Sequence, residues 1–248
     1  MKRYLTPILI TLAITGSLVL LSAITTGNPW TELAPATCLA SGAGCFCEAD
    51  QSEIVRQPVN AISSLAFVFV GLLILSSRAK SWMAVLGWSS IIVGLGSAFY
   101  HMSLSFAGQF ADVLGMHMIG ALLIVLAIRE MPSWSKRAAW LYVGMVTSTA
   151  VILFFLPDTR RYLFAIFLLA GIVCEYSLNW RTSGRDFRLL NLGIGTMAAG
   201  FGIWILDQTG IACLPGSLLQ GHALWHIFGA YAVWLLYRYY TTNVFNRK

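Results

Sequence analysis

The chain has 248 residues, of which 58% are hydrophobic and only 10% are charged, and its formal net charge is +6. A soluble protein carries about 25% charged residues, so this composition excludes an ordinary soluble domain and predicts an integral membrane protein. The positive charge lies in the connections between apolar segments, which is a signal of membrane topology and gives no support to nucleic-acid binding.

Eight apolar segments follow one another along the chain, each of about 20 residues and long enough to cross about 30 Å of hydrocarbon. We predict spans at 4–25, 58–77, 82–103, 110–128, 138–156, 161–178, 189–207 and 217–238. The short connections between them require neighbouring helices to pack antiparallel in one bundle. The predicted fold class is therefore all-α, a polytopic transmembrane helix bundle.

The first segment allows two interpretations. Lys2 and Arg3 followed by an apolar run are typical of a secretory signal peptide, which is removed from the mature protein. The apolar run spans roughly 18 residues, longer than the usual h-region of about 7–15, and no clean A-x-A cleavage site follows it. We favour an uncleaved transmembrane anchor, and the topology of the other seven helices is the same in either case.

Basic residues in the connections predict the orientation, because cytoplasmic connections are enriched in Lys and Arg. With the N-terminus inside, thirteen of the sixteen basic residues are cytoplasmic, and only Arg56, Arg160 and Arg161 lie outside. The cytoplasmic set is Lys2, Arg3, Arg78, Lys80, Arg129, Lys136, Arg137, Arg181, Arg185, Arg188, Arg238, Arg247 and Lys248. Both termini are therefore predicted to be cytoplasmic.

Cysteine usage fits this orientation. Four of the five cysteines fall in predicted outer connections: Cys38, Cys45, Cys47 and Cys213. An oxidising compartment favours two disulfides among them, with the pairing open. Zinc binding by Cys45 and Cys47 is the weaker alternative, because a one-residue gap is poor zinc spacing.

A first polar cluster lies at the end of the third predicted span. Ser97 and His101 are four residues apart and share one face of a helix. Such a pair by itself is explained by hydrogen bonds within the bundle. Asp112 changes that interpretation, because the short 104–109 connection brings the first turn of the next helix level with His101. A carboxylate without a partner at this depth is costly, and a ligating imidazole or a metal-bound water supplies one.

A second pair, His222 and His226, stands at the start of the last predicted span with the same spacing of four. These residues and His101 are expected at one depth, where three imidazoles and an open position form the catalytic zinc pattern. A structural zinc site more often contains cysteines. The fourth histidine, His117, lies on a different face of its helix from Asp112, and we interpret it as a packing residue or a support for the ligands.

Acidic residues concentrate in the predicted 26–57 connection, at Glu48, Asp50 and Glu53. Hard oxygen donors in a short loop suit calcium, although the stretch does not match the EF-hand pattern. A solvated acidic loop without a metal is the alternative, and the residues alone do not decide between the two.

Three separated motifs resemble the alkaline ceramidase family, part of a wider group of seven-helix membrane hydrolases that includes the progestin and adiponectin receptors. The motifs are Cys47-Glu48 with Asn60-x-x-Ser63, Gly96-Ser97-x-x-x-His101-x-x-Leu104 with Gln109-x-x-Asp112, and His222-Ala223-x-Trp225-His226. They occur in the right order and spacing within residues 45–235. The first span lies outside this range, so the resemblance implies a seven-helix core with one extra N-terminal helix.

The resemblance also implies roles for individual residues. The implied zinc ligands are His101, His222 and His226, the implied catalytic residues beside the zinc are Ser97 and Asp112, and the implied disulfide joins Cys47 to Cys213. The calcium site of the family uses acidic residues around the Cys-Glu motif. Glu48 and Asp50 match that site, whereas Gln57 and Cys45 stand where acidic residues are expected.

The leading hypothesis is an intramembrane zinc amidohydrolase that cleaves ceramide or a similar N-acyl lipid, with its active site near the outer face of the membrane. The expected division is an N-terminal anchor at 1–25, an outer loop at 26–57 and the hydrolase domain at 58–248. A non-catalytic, zinc-containing membrane receptor or structural protein is the alternative. A solute transporter is disfavoured, because the polar residues cluster at one membrane face and do not line a path across it.

Overall fold

A computed structural model describes residues 2–24, 27–42, 44–79, 81–129, 131, 133–179 and 185–245. Within these residues the protein is all-α, with no strand and one isolated β-bridge between Pro35 and Ser105. Some of the basic residues that predict the orientation lie outside the described residues, namely Lys80, Arg181, Arg247 and Lys248.

Long helices account for most of the described chain. They are α1 (Lys2–Ile24), α3 (Pro58–Ser76), α4 (Trp82–Ser103), α5 (Phe106–Ile128), α6 (Ala138–Phe155), α7 (Arg160–Asn179), α8 (Arg188–Gln208) and α9 (Gly221–Tyr240). A short helix, α2 (Thr37–Ala40), lies in the first connection. A 3-10 turn at Pro157–Thr159 precedes α7, and a π-helical turn at Thr241–Phe245 follows α9.

The predicted fold class is confirmed. Seven helices, α1 and α3 to α8, are long and apolar enough to cross a membrane, which fits a multi-pass membrane protein. Helix α9 has 20 residues and is not among these seven; it carries His222, His226 and Arg238. Its passage across the membrane, the eighth predicted span, stays a prediction, as does the division of the chain into anchor, loop and hydrolase domain.

The start of α5 differs from the prediction. The helix begins at Phe106 and not at 110, so the connection from α4 consists of Leu104 and Ser105 alone. Ser105 caps the helix, because its side-chain oxygen accepts a hydrogen bond from the Gly108 amide at 3.1 Å. Asp112 therefore lies in the second turn of α5, one turn deeper than the sequence predicted.

The core of the bundle is formed by α3, α4, α5 and α9. Buried apolar side chains from all four helices meet in one cluster, which includes Ile74, Leu86, Leu122 and Val233. Helices α6 and α7 pack against α5, and α8 packs against α9. Helix α1 packs on α3, where Leu18 joins a separate small cluster.

The peripheral helices expose large apolar side chains. Trp140, Phe155, Tyr162 and Leu169 on α6 and α7 are each more than 60% exposed. Apolar surface of this extent is unfavourable in water and is the surface that a lipid bilayer covers. The exposed faces therefore fit the membrane location that the composition predicts.

Two disulfides lie at one end of the bundle. We call this end the disulfide end and define it by residues 27–42, 44–57 and 209–220. Cys38 is bonded to Cys45, and Cys47 is bonded to Cys213. The prediction of two disulfides is confirmed, and so is the pairing of Cys47 with Cys213. The second bond ties the first connection to the segment that leads into α9.

A buried ionic network lies at the opposite end of the bundle. Glu175 on α7 is fully buried and forms an ion pair with Arg185, which precedes α8. Its carboxylate also accepts hydrogen bonds from the hydroxyls of Tyr239 at 2.6 Å and Tyr240 at 2.7 Å, both on α9. The network therefore links α7 to α9.

Candidate metal centre

Three histidines converge inside the bundle near the disulfide end. His101 lies in the last turn of α4, and His222 and His226 lie in the first two turns of α9. One ring nitrogen from each lies within 4.8 Å of the others, and all three side chains are buried. In the part of the chain that the structure describes, this is the one group of His, Cys, Asp or Glu residues with ligand atoms arranged to hold a metal ion.

The start of α9 is positioned by Asp207 at the end of α8. One carboxylate oxygen of Asp207 accepts a hydrogen bond from the His222 amide at 3.2 Å, and the other accepts one from the Cys47 amide at 3.3 Å. The helices approach closely at Gly221, where a Cβ atom would lie 2.8 Å from the Cβ of Asp207. The sequence analysis missed Asp207, although an aspartate at the end of an apolar span was a usable signal.

Hydrogen bonds on the far side of two rings fix their tautomers. Nδ1 of His101 lies 2.8 Å from Oε1 of Gln57, which can only accept, so Nδ1 carries the proton. Nδ1 of His226 lies 2.8 Å from the hydroxyl oxygen of Ser63, which itself donates to the Asn60 carbonyl at 3.0 Å. His226 is therefore also protonated on Nδ1, and both Nε2 lone pairs face the interior of the group.

The third ring completes a donor set that fits a transition-metal ion. Nε2 of His222 lies 3.2 Å from Nε2 of His101, and its Nδ1 is buried without a hydrogen-bond partner among the described residues. Three imidazoles whose ring nitrogens converge match the ligand set of catalytic zinc sites, and supporting hydrogen bonds to the outer ring nitrogens, as at His101 and His226, are usual there.

Ser97 and Asp112 lie beside the histidines. The hydroxyl oxygen of Ser97 is 3.3 Å from Nε2 of His226 and accepts a hydrogen bond from Ser64 at 3.0 Å. Ser97 is also within hydrogen-bonding reach of Asp112. Helices α4 and α5 meet closely at Gly96, where a Cβ atom would lie 2.9 Å from the Asp112 amide nitrogen. Only a glycine allows this approach, which places the carboxylate next to Ser97.

An aromatic ring covers the group from the disulfide end. The ring centroid of Phe46 lies 4.0 Å from that of His222 and 4.9 Å from that of His101. Phe46 stands between Cys45 and Cys47, each of which belongs to a different disulfide. The position of the ring is therefore held by two covalent links, and the sequence analysis gave no indication of it.

Comparison with known proteins supports the resemblance that the motifs predict. The sequence profile of the Ceramidase family matches residues 43–247. The chain belongs to the ceramidase family. It is 24% identical over 203 residues to alkaline ceramidase 1 of Homo sapiens, which covers 73% of this chain and 75% of that protein. It is 26% identical over 204 residues to alkaline ceramidase 1 of Mus musculus, covering 73% and 72% of the two chains.

A plant protein shows a similar level of likeness. The chain is 24% identical over 191 residues to alkaline ceramidase of Arabidopsis thaliana, with 71% of this chain and 73% of that protein covered. The part of the chain that matches the ceramidase profile begins at residue 43, after α1 has ended. Helix α1 therefore lies outside the matched region, as the motifs predicted.

The three candidate calcium ligands of this ceramidase-family chain have other partners. Glu48 caps α3, because its carboxylate accepts hydrogen bonds from the amides of Val59 at 2.7 Å and Asn60 at 2.8 Å. Burial raises the pKa of Glu48. Gln57 binds His101, as described, and donates to the Glu48 carbonyl at 2.9 Å.

Asp50 is an ion-pair partner of Arg56, and hydrogen bonding to that guanidinium lowers the pKa of the carboxyl group. Glu48 and Asp50 therefore each bind groups of the protein. The expectation of a calcium site therefore receives no support from the positions of Glu48, Asp50 and Gln57, and it stays a prediction.

His117 lies apart from the three converging histidines. It is fully buried on α5, where its Nδ1 donates to the Val113 carbonyl at 2.7 Å. Its ring packs against Phe164 and Phe167 of α7, with centroids 6.2 Å and 5.6 Å away. These contacts describe a packing residue between α5 and α7.

Proposed function

We propose that this protein is a zinc-dependent intramembrane amidohydrolase that cleaves ceramide or a similar N-acyl lipid into a fatty acid and an amine base. The observation that carries the proposal is the convergence of three buried histidines beside Ser97 and Asp112. Membership of the ceramidase family and the likeness to alkaline ceramidases support the reaction and the class of substrate.

His101, His222 and His226 would hold the metal, and zinc is the ion that three imidazoles and an open position suit best. When bound, zinc polarises the amide carbonyl and lowers the pKa of a coordinated water. Gln57 and Ser63 keep the two rings that they contact in the tautomer that presents Nε2, and Asp207 holds the start of α9 in place.

Asp112 is the proposed general base and general acid. Its carboxylate accepts a proton from the attacking water and later donates that proton to the nitrogen of the leaving amine. Ser97 is the proposed donor to the oxyanion, a contact worth about 3 kcal/mol. The Ser97 hydroxyl lies within hydrogen-bonding reach of Ser64, His226 and Asp112, and its proton is the one proposed to be donated to the oxyanion.

The group is buried in a bundle whose helices are mostly long and apolar enough to cross a membrane, and this favours a lipid substrate. In this proposal the amide bond lies at the three histidines, and apolar helix surfaces of the bundle contact the acyl chain. A small water-soluble amide would have to leave water for these buried surroundings, which is unfavourable without an apolar chain to offset it.

A test combines metal analysis with a panel of N-acyl lipids. Purified protein should contain about one zinc per chain and release fatty acid and amine base from at least one lipid of the panel. A double variant with His222→Ala and His226→Ala should lose both the zinc and the turnover. Full zinc content in the double variant would exclude these ligands, and full zinc without hydrolysis of any lipid in the wild type would favour the receptor or structural alternative.

A further inference from the structure

A cavity of about 710 Å³ opens at the disulfide end, between the first connection, the start of α7 and the end of α8. Its lining includes Cys38 from the first connection, Asp158, Arg160 and Arg161 at the start of α7, and Gln208 at the end of α8. The volume lies within the range of about 300–1,000 Å³ that small-molecule sites occupy. The cavity therefore has room for the polar part of a lipid.

The wall of the cavity is positively charged. Arg160 and Arg161 stand side by side, opposed by one lining carboxylate, Asp158. Arg160 donates to the Pro157 carbonyl at 3.1 Å and to Asp158 at 3.2 Å, but the Asp158 side chain is 88% exposed, so this ion pair is weak. The guanidinium of Arg161 lies over the Trp204 ring, 5.0 Å from its centroid.

The positive charges of Arg160 and Arg161 are less fully compensated by carboxylates than the charge of Arg56 is. The guanidinium of Arg56 binds Asp50 and donates to the Ser103 carbonyl at 3.2 Å. Among the described residues, Arg161 forms no ion pair with a carboxylate, and its contact with Trp204 orients the planar guanidinium while leaving its edge N–H groups available. A planar guanidinium binds carboxylate and phosphate groups through two parallel hydrogen bonds.

The cavity lies next to the candidate metal centre. Arg161 is close enough to His222 and Tyr100 to interact with both electrostatically. The Sγ atom of Cys38, in the lining, accepts a hydrogen bond from the Tyr100 hydroxyl at 3.2 Å, and the Tyr100 ring centroid is 5.3 Å from that of His101. The side chains of Cys38 and Tyr100 therefore connect the lining of the cavity to the metal centre.

We infer that this cavity is the head-group subsite and that it binds an anionic oxyacid group, a phosphate or a carboxylate, on the polar end of the N-acyl lipid. The inference rests on the proposed function, because the reaction at the histidines defines which end of the lipid reaches the cavity. Arg160 and Arg161 bind the anion. Gln208, whose Oε1 atom has no hydrogen-bond partner among the described residues, is a further acceptor for a hydroxyl or amine of the head group.

The experiment compares two lipids that differ only in charge: an N-acyl sphingosine and its 1-phosphate, with the same acyl chain. Binding of each to the purified protein in neutral detergent is measured directly, and kcat and KM are measured separately. The wild type should bind the phosphate about 10-fold to 100-fold more tightly than the neutral lipid, the range expected for hydrogen bonds between charged groups. The double variant Arg160→Gln, Arg161→Gln should lose this preference, so that the Kd and the KM of the phosphate approach those that the same variant shows for the neutral lipid.

Arg188→Gln is the matched control, because Arg188 is 92% exposed at the start of α8, at the opposite end. This variant should fold as the wild type does and should keep the full preference for the phosphate over the neutral lipid. The single variant Arg161→Lys keeps the charge but loses the two-bond geometry, and it should show an intermediate preference. Equal affinity of the wild type for the two lipids, or a preference that survives in the double variant, overturns the subsite.

Inorganic phosphate provides a further arm. If free phosphate binds as tightly as the phosphorylated lipid, the cavity is a site for a free anion and the head-group assignment is wrong. The binding data separate this inference from the proposed function. Arginine-dependent binding without hydrolysis of either lipid supports the subsite and contradicts the proposed reaction. Hydrolysis without a preference for the charged lipid supports the reaction and contradicts the subsite.

Discussion

At the scale of single residues, the candidate site is defined by hydrogen bonds that orient each imidazole. Gln57 and Ser63 bind the outer nitrogens of His101 and His226, so that the inner nitrogens keep their lone pairs. Asp207 positions His222 through the backbone. Supporting residues of this kind commonly change metal affinity 10-fold to 100-fold when they are removed.

Replacement of Gln57 by leucine should therefore weaken zinc binding by about 10-fold to 100-fold without removing a ligand. The variant loses the acceptor that holds the proton of His101 on Nδ1. Competition with a chelator of known affinity measures the change. Gln51→Leu is the control, because Gln51 is an exposed glutamine of the same connection, and equal zinc retention in the two variants would show that the Gln57 contact does not matter.

Asp112→Asn should keep the zinc and lose turnover. The amide is nearly the same shape as the carboxylate but does not take up a proton at neutral pH, and general acid–base groups typically contribute about 10²–10⁴ in rate. Ser97→Ala should also retain zinc, with a smaller rate loss. Rates are compared at equal zinc content, and hydrolysis by Asp112→Asn at the wild-type rate would disprove the proposed role of the carboxylate.

At the scale of helices, two contacts determine how neighbouring helices pack. The glycine contact at Gly96 brings α4 against α5 and sets Asp112 beside Ser97. At the opposite end, Glu175 on α7 is shared by Arg185 and by two tyrosines of α9. Because both partners of the ion pair are buried, loss of one leaves an uncompensated charge in the protein interior.

Arg185→Gln should accordingly lower the free energy of unfolding by about 3–5 kcal/mol. The double variant Glu175→Gln, Arg185→Gln should recover part of the loss, since it removes the unpaired charge. Thermal unfolding in detergent measures both, with the exposed Arg188→Gln as the control. Zinc content below the unfolding transition should not change, and a loss no larger than that of the control would contradict the stabilising role.

At the scale of the whole molecule, the two ends of the bundle differ in chemistry. The disulfide end contains both disulfides, the candidate metal centre and the arginine-lined cavity. Disulfides form in oxidising compartments. Among the described residues, basic side chains such as Arg78, Arg129 and Arg188 belong to the opposite end, and cytoplasmic connections are enriched in Lys and Arg. Both features predict that the disulfide end faces away from the cytoplasm.

Reporters placed at Arg137 and after Lys248 should therefore both show a cytoplasmic location. A reporter inserted within 27–42 should show the outer location, and it serves as the opposite control. A signal from outside at Lys248 would mean that α9 does not cross the membrane, or that α1 does not orient the chain.

The sequence by itself determined the helical membrane fold, two disulfides and the spacing of the histidine pair. These properties depend on local chemistry: apolar length, cysteine compartment and the 3.6-residue period that places His222 and His226 on one face. Family motifs added the pairing of Cys47 with Cys213. The predicted start of α5, at residue 110, was one turn too late, because the sequence analysis did not recognise Ser105 as the cap of the helix.

Only the tertiary structure decided which side chains support and surround the histidines. Gln57 and His101 are separated by 44 residues, and Ser63 and His226 by 163. The position of Phe46 over the site likewise depends on packing between segments far apart in the chain. Helical periodicity predicts which face of its own helix a residue occupies, but it does not predict which face of another helix lies opposite. The pairing of helix faces depends on how closely the helices approach, at contacts such as Gly96 against α5, and on links between connections such as the disulfide to Cys213.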